Sequence, residues 1–167
     1  MSLEGPTLYM FCGKIASGKS TLAAGLAARE GTVAIAEDDW LAALFGDQLA
    51  TGADYVRASA RLRNVLGAHV AALLNAGVSV VLDFPANTPE ARGWMREILD
   101  RTGAAHEMHL MDVPDEVCLA RLRARNEAGD HAFAATEAQF HRFSKHFSPP
   151  SASEGFTVVR HEATASE

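Results

Sequence analysis

The run Gly13-Lys14-Ile15-Ala16-Ser17-Gly18-Lys19-Ser20 constrains this chain more than any other feature. It fits G-x-x-x-x-G-K-[ST] completely, and its surroundings fit as well. The apolar run Thr7 to Cys12 before it reads as a strand. A helix from about Lys19 to Ala28 follows, with Leu22 and Leu26 on one face. Each residue type has a physical role at this spacing. The glycines let backbone N–H groups wrap phosphate without a clashing side chain. The following helix points its positive end at the same place. Lys19 is placed to neutralise the β- and γ-phosphates of a nucleotide, and Ser20 to offer its hydroxyl to Mg²⁺. The expected nucleotide-binding residues are therefore Gly13, Lys14, Ile15, Ala16, Ser17, Gly18, Lys19, Ser20 and Thr21.

Beyond the loop, short apolar runs alternate with longer helical stretches. Thr32 to Ala36 reads as a second strand. Asp38 or Asp39 suits the cap of a short helix through Trp40, Leu41 and Leu44 that ends at Gly46. Asp54 to Ala76 is the longest predicted helix, with Leu62, Val65, Leu66, His69 and Leu73 at helical spacing, and Gly77 ends it. Val78 to Leu82 is a continuous apolar run, as a strand buried on both faces requires. Pro89 to Arg101 reads as helix and Ala105 to Met111 as strand. Pro114 suits a first helical position, with Asp115 and Glu116 beside the positive helix end; that helix runs to about Asn126. Thr136 and Gln139 fit a capping box for a helix to Phe147, stopped by Pro149-Pro150. Gly155 to Arg160 is the last strand. The alternation predicts an α/β fold, a parallel sheet with helices on both faces.

A length of 167 residues suits one domain over 1–167, with an ordered core from about 7 to 160. Met1 to Gly5 and the tail after His161 are expected to lie outside that core. With 48% hydrophobic and 22% charged residues the chain reads as soluble and globular. The formal net charge of −6 argues against non-specific binding to a nucleic-acid backbone. The apolar run Leu8 to Cys12 lacks the basic leader of a signal peptide, and no run of about 20 apolar residues exists to span a membrane. Cys12 and Cys118 form no metal or redox spacing, which points to reduced core thiols in a cytoplasmic protein.

What the γ-phosphate would meet narrows the class. None of Asn64, Asn75, Asn87 or Asn126 is followed by lysine, so the Asn-Lys-x-Asp guanine reader of GTPases is missing. The buried strand ends Val80-Val81-Leu82-Asp83-Phe84, without the adjacent glutamate that many motor-type ATPases use to polarise water. Four features occur in order: Gly13 to Thr21, the acidic Glu37-Asp38-Asp39, Asp83-Phe84-Pro85-Ala86-Asn87, and Arg121-Leu122-Arg123-Ala124-Arg125. This pattern resembles the small P-loop kinases grouped around polynucleotide kinase, chloramphenicol phosphotransferase and the zeta toxins, from about residue 7 to 160. The resemblance implies a five-strand parallel sheet in the order 2-3-1-4-5 and phosphorylation of a hydroxyl on widely varying acceptors.

The same resemblance assigns Asp38 as the base that accepts the proton of the acceptor hydroxyl, with flanking Asp39 as the alternative. A carboxylate at Asp83, closing the buried strand, can reach Mg²⁺ through water, so Ser20 and Asp83 are the expected metal residues. Asn87 matches a polar family position, while Phe84-Pro85 depart from the small residue and threonine usual there. Arg92 matches a helix arginine of the family or is a solvated surface residue. Arg121 and Arg125 share a helix face, and small kinases close an arginine-bearing lid over the triphosphate. Arg125 is expected to reach phosphate and Arg121 to brace the nucleotide, with Asn126 to Asp130 as hinge.

Arg57 and Arg61, on the long helix after Asp54 and Tyr55, share a face that suits an anionic acceptor or simply solvent. The seven histidines, including His106, His109, His141 and His146, read as structural or surface residues. Phe140, Phe143 and Phe147 repeat at helical spacing and are expected in the core, while Phe133 could cover a nucleotide or an acceptor. The sequence thus leads to an ATP- and Mg²⁺-dependent phosphotransferase acting on a small-molecule hydroxyl. Two alternatives are a 5′-hydroxyl nucleic-acid end kinase and a non-catalytic ATP-binding regulator. The acceptor and the oligomeric state are not legible.

Overall fold

In the computed structural model the described residues are 5–129 and 135–163. Five strands form one parallel sheet: β1 (Thr7–Cys12), β2 (Thr32–Ala36), β3 (Ser79–Pro85), β4 (Ala105–Asp112) and β5 (Val158–Glu162). Their order is β2-β3-β1-β4-β5, every pair parallel, as the resemblance implied. Six α-helices connect them: α1 (Lys19–Ala27), α2 (Glu37–Phe45), α3 (Gly52–Asn75), α4 (Pro89–Thr102), α5 (Asp115–Ala128) and α6 (Glu137–Ser144). Parallel strands need long crossovers, and helices fill them.

The period of two along β1 divides the core. Leu8, Met10 and Cys12 point to one face, where they join Leu62, Leu66 and Val70 of α3 and Met95 and Ile98 of α4. Tyr9 and Phe11 point to the other, against Ala23 and Leu26 of α1. A third cluster of Cys118, Leu122 and Phe140 joins α5 to α6. Cys12 and Cys118 are buried free thiols, and burial pushes the Cys12 thiol up to about 11.

Several boundaries differ from the sequence reading for identifiable reasons. The long helix begins at Gly52 because Thr51 and Asp54 form a reciprocal capping box: Asp54 N donates to Thr51 Oγ1 (3.1 Å) and Thr51 N to Asp54 Oδ2 (3.1 Å). The third strand continues to Pro85, since Phe84 is still buried in the core and Pro85 aligns with Phe11 after a register shift in β1. Asp83 therefore lies inside β3, paired with Ala36, rather than at its end. Pro114 is the N-cap of α5, not its first residue. The capping box of Thr136 and Gln139 forms as expected, but α6 stops at Ser144 and leaves Phe143 54% exposed.

Arg92 is neither a solvated residue nor a free site residue. It is 1% exposed and clamps three segments: its Nη1 donates to Ala86 O (2.9 Å) and Ser148 O (2.6 Å), and its Nε to Glu154 Oε1 (2.7 Å). A buried guanidinium so satisfied ties the loop after β3 to the segment after α6. Arg92→Leu leaves these acceptors unpaired and is expected to cost about 2–4 kcal/mol of stability, read by urea denaturation. A midpoint equal to that of the wild type would contradict this role.

Candidate nucleotide and phosphoryl-transfer site

The loop leaving β1 is anchored before any ligand arrives. Gly13 N donates to Asn87 Oδ1 (2.8 Å) and Asn87 Nδ2 donates back to Gly13 O (2.9 Å). The Asn87 side chain thereby extends the strand pairing of β1 with β3 by one step. A Cβ on Gly13 would lie 2.6 Å from Ser17 Oγ and 2.8 Å from Met111 Cβ, so only glycine fits. Gly18 caps α1 at φ 102°, and Ala16 holds φ 61°, a left-handed conformation that a non-glycine residue adopts at a cost.

Lys19 folds back under this loop. Its ammonium donates to Gly13 O (2.5 Å) and Lys14 O (2.8 Å). Burial lowers its pKa to about 8, and the nearby Asp83 carboxylate opposes that shift. Ser17 Oγ is buried and has no hydrogen-bond partner among the described residues. Ile15 and Ala16 pack against the α5–α6 cluster. Lys14 turns outward, paired with Asp115 (2.7 Å) and set over the Phe147 ring (5.5 Å). Ser20 and Thr21 open α1, exposed at the mouth of the loop.

The acidic side of the site comes from α2 and β3. Ala36, extended at φ −104°, is the N-cap of α2, so Asp38 and Asp39 lie in its first turn instead of capping it. Among the described residues no side chain caps this helix. Three acidic residues there face the positive helix end, which offsets part of their mutual repulsion. Their side chains diverge. Glu37 turns inward and is 1% exposed, while Asp38 and Asp39 remain accessible in the cleft. Asp38 is held above the ordinary carboxylate range, first by partial burial in the cleft, then by the charges of Glu37, Asp83 and Asp39; Lys19 pulls it back. Burial likewise raises Asp83, against the pull of Lys19. Asp38, Asp83 and Lys19 thus share one electrostatic neighbourhood at the carboxyl edge of the sheet, where open α/β folds bind ligands.

On α5, Arg121 reaches the loop: its Nη1 lies 3.7 Å from where a Gly18 Cβ would stand. Arg125 is close enough for its charge to help lower Lys19, and its Nε is buried without a partner among the described residues. Arg123 points away and pairs with Glu137. Gly129, at φ 70°, ends α5, and Asn126 Nδ2 donates to Ala135 O (2.7 Å) across the following segment. The remainder of the expected hinge, Asp130, and also Phe133 lie outside the described residues.

Among the described residues no trio of His, Cys, Asp or Glu could by itself hold a metal ion. The donors present, the Ser20 hydroxyl and the Asp83 carboxylate, suit Mg²⁺, which keeps several waters and takes the rest of its ligands from phosphate oxygens. No described helix is long and apolar enough to cross a membrane.

Residues 8–150 match the family described as AAA domain, AAA_33. The chain belongs to this family. Its fold recurs in solved structures of low sequence identity. A candidate kinase from Chloroflexus aurantiacus shares 17% identity, with 96% of this chain and 87% of that one covered at a TM-score of 0.74. A chain of the Pnkp1/Rnl/Hen1 RNA repair complex shares 21% identity over 87% of this chain and 45% of that one, TM-score 0.67. A sugar kinase from a Janibacter species shares 18% identity over 95% and 85%, TM-score 0.60. No curated protein matches the sequence of this AAA domain. Its P-loop kinase-like fold is thereby established.

Sequence reasoning missed three parts of the site of this AAA domain. Asn87 was noted without its role as the clamp on Gly13. Glu37 is a buried anchor that accepts from Tyr55 Oη (2.7 Å) and Ser59 Oγ (2.8 Å) on α3. Arg63, one further turn along the same face, stands beside them. The spacing Tyr55, Ser59, Arg63 is a polar stripe at helical period, and that stripe was the available signal. Arg57 and Arg61 instead line an open depression of about 270 Å³ with Phe45, Gln48, Asp54 and Ala58, where Arg57 pairs with Asp54 (2.6 Å). His109 is buried, with Nδ1 2.8 Å from His161 Nε2 and its ring stacked on Phe11, a structural placement.

Proposed function

We propose that this chain is an ATP- and Mg²⁺-dependent phosphotransferase that moves the γ-phosphoryl group of ATP to a hydroxyl of a small-molecule acceptor. The observation that supports the reading is a complete phosphate loop whose Lys19 shares one electrostatic neighbourhood with Asp38 and Asp83. In this reading Gly13 to Thr21 cradle the phosphates. Lys19 leaves the Gly13 and Lys14 carbonyls for the β- and γ-phosphate oxygens. Ser20 and Asp83 would hold Mg²⁺, which would supply neutralisation of phosphate charge. Asp38 accepts the hydroxyl proton as the acceptor oxygen forms its bond to the γ-phosphorus. The bond from the γ-phosphorus to the β–γ bridging oxygen breaks and ADP leaves. Arg121 and Arg125 take up the charge that develops on the transferring group. Positioning and charge neutralisation supply the catalysis.

The net charge of −6 supports a small acceptor over a polynucleotide. Fold similarity to a chain of an RNA repair complex is the one observation favouring a nucleic-acid end as acceptor. Buried free thiols fit a reducing compartment such as the cytoplasm. An Asp38→Asn, Asp39→Asn double variant tests the chemistry while leaving the loop intact. Loss of transfer with retained ATP binding is expected, and full turnover would sink the proposal.

The pH dependence has a definite sign. In the free protein Lys19 carries its proton below about pH 8 and loses it above. Nucleotide phosphates favour the charged form, so ATP binding takes up a proton there. ATP affinity is expected to fall as pH rises from about 7 to 9.5, and turnover to fall at the acid end where the raised Asp38 protonates. Calorimetric titration across this range checks it; an affinity flat above pH 8 would contradict the placement of Lys19.

A further inference from the structure

Glu37 is 2% exposed at its side chain and has both oxygens occupied, Oε1 by the Tyr55 hydroxyl and Oε2 by that of Ser59. Arg63 supplies the counter-charge, yet its Nη2 lies 3.6 Å from Glu37 Oε2, too far for a hydrogen bond. Its Nε is buried and unpartnered among the described residues. The guanidinium is nevertheless held in place. Its carbon stands 5.4 Å from the Trp94 ring centroid and 5.9 Å from that of Phe84, and these two rings pack on each other at 5.3 Å. Gly67, one turn along α3 from Arg63, admits the indole closely: a Cβ there would lie 3.2 Å from Trp94 Nε1.

The location matters as much as the unmet donors. Glu37 adjoins Asp38 in the chain and Phe84 adjoins Asp83, so Arg63 stands near the carboxyl edge of β2 and β3, on the face of the sheet that Leu82 and Phe84 share. Its side chain is 23% exposed, so it is not sealed in the core. An arginine fixed by aromatic stacking, with its charge partly balanced and its N–H donors unmet, is organised for a planar or tetrahedral oxyanion.

We propose that Arg63 binds an anionic group of the phosphoryl acceptor, a carboxylate, phosphate or sulfate. The acceptor is then an anionic hydroxyl compound, with Arg63 holding one end while Asp38 faces the hydroxyl. This inference rests on the phosphotransferase reading for the acceptor's role, but anion binding at Arg63 is measurable without turnover. The competing role for Arg63 is neutralisation of Glu37 alone.

The test uses the full chain with Trp40→Phe, which leaves Trp94 as its single indole, and with the phosphate loop saturated by Mg²⁺ and a non-hydrolysable ATP analogue. Trp94 fluorescence is titrated with gluconate and ribose 5-phosphate, and with their neutral counterparts glucose and ribose. A saturable change is expected with at least one anionic probe and neither neutral one. Which anionic probe binds separates carboxylate from phosphate recognition. Arg63→Met is expected to weaken that binding about tenfold or more. Because Arg63→Met strands the Glu37 charge and could fail to fold, the Glu37→Gln, Arg63→Met pair is measured as well. That pair keeps an acceptor for Tyr55 and Ser59 and removes both charges. If Arg63 only neutralised Glu37, the pair would bind the anion like the wild type. The proposal requires the loss to persist, and requires Glu37→Gln alone to bind at least as tightly as wild type. Equal binding of neutral and anionic probes, or no saturable response to an anion at about 10 mM, overturns it. Phosphoryl transfer confined to neutral acceptors would remove this inference and leave the phosphotransferase; anion binding without any transfer would do the reverse.

Discussion

Lys19→Ala is expected to lower kcat/KM for ATP by about 10³-fold while leaving the nucleotide-free protein at least as stable as the wild type. Both halves follow from one side chain. The ammonium bonds to Gly13 O and Lys14 O, so it shapes the loop, and in the proposed reaction it moves to the β- and γ-phosphates. The same burial depresses its pKa to about 8, so below that pH the fold carries a charge it would rather shed. That unfavourable contribution is fully present at neutral pH and fades as pH climbs toward the unfolded value. Removing the lysine therefore relieves the empty protein while disabling the site. Thermal melts with and without Mg-ATP check this: the variant should keep its own midpoint and lose the upward shift that nucleotide gives the wild type. A variant that melts well below the wild type without nucleotide would make Lys19 a structural residue.

Asp38→Asn is expected to reduce kcat by about 10²- to 10⁴-fold with little change in the KM for ATP. Asparagine keeps the shape and cannot accept the hydroxyl proton. The crowding that raises Asp38 comes from Glu37, Asp83 and Asp39 as well as from burial, so losing one negative charge relaxes its neighbours and the fold should not suffer. Asp39→Asn is the control, expected to stay within about threefold of wild type, because no proton transfer is assigned to it. Steady-state kinetics on the two single variants separates them. Equal losses in both would mean that the pair shares the role.

Local signals carried most of the fold. The strands before and after the phosphate loop show as unbroken apolar runs, and their bounds at Thr7–Cys12 and Thr32–Ala36 agree with the reading from residues alone. The sheet order came from the family resemblance, since no periodicity tells β2 to lie outside β3. What remained hidden depends on partners distant in sequence. Arg92 stayed open between a family helix arginine and a solvated surface one because its acceptors, Ser148 and Glu154, lie 56 and 62 residues away. Glu37 looked like one more acid in a cluster because the hydroxyls that bury it belong to α3. Asn87 carried no visible role until its amide met the Gly13 backbone 74 residues earlier. Phe143 erred in the other direction: its spacing matched Phe140, but α6 ends one residue later at Ser144 and Phe143 is exposed.

Everything proposed for this site turns on phosphoryl transfer through Asp38 at the phosphate loop. The measurement that reaches it most directly is transfer of γ-labelled phosphate from Mg-ATP to a mixed pool of sugars, sugar acids, sugar phosphates, nucleosides, nucleotide sugars, antibiotics and 5′-hydroxyl oligonucleotides. The wild type is run beside Lys19→Ala and Asp38→Asn. The expected result is a labelled small-molecule product that disappears in both variants. A wild type that binds Mg-ATP but labels nothing in the pool, or a product that survives Asp38→Asn undiminished, would contradict it.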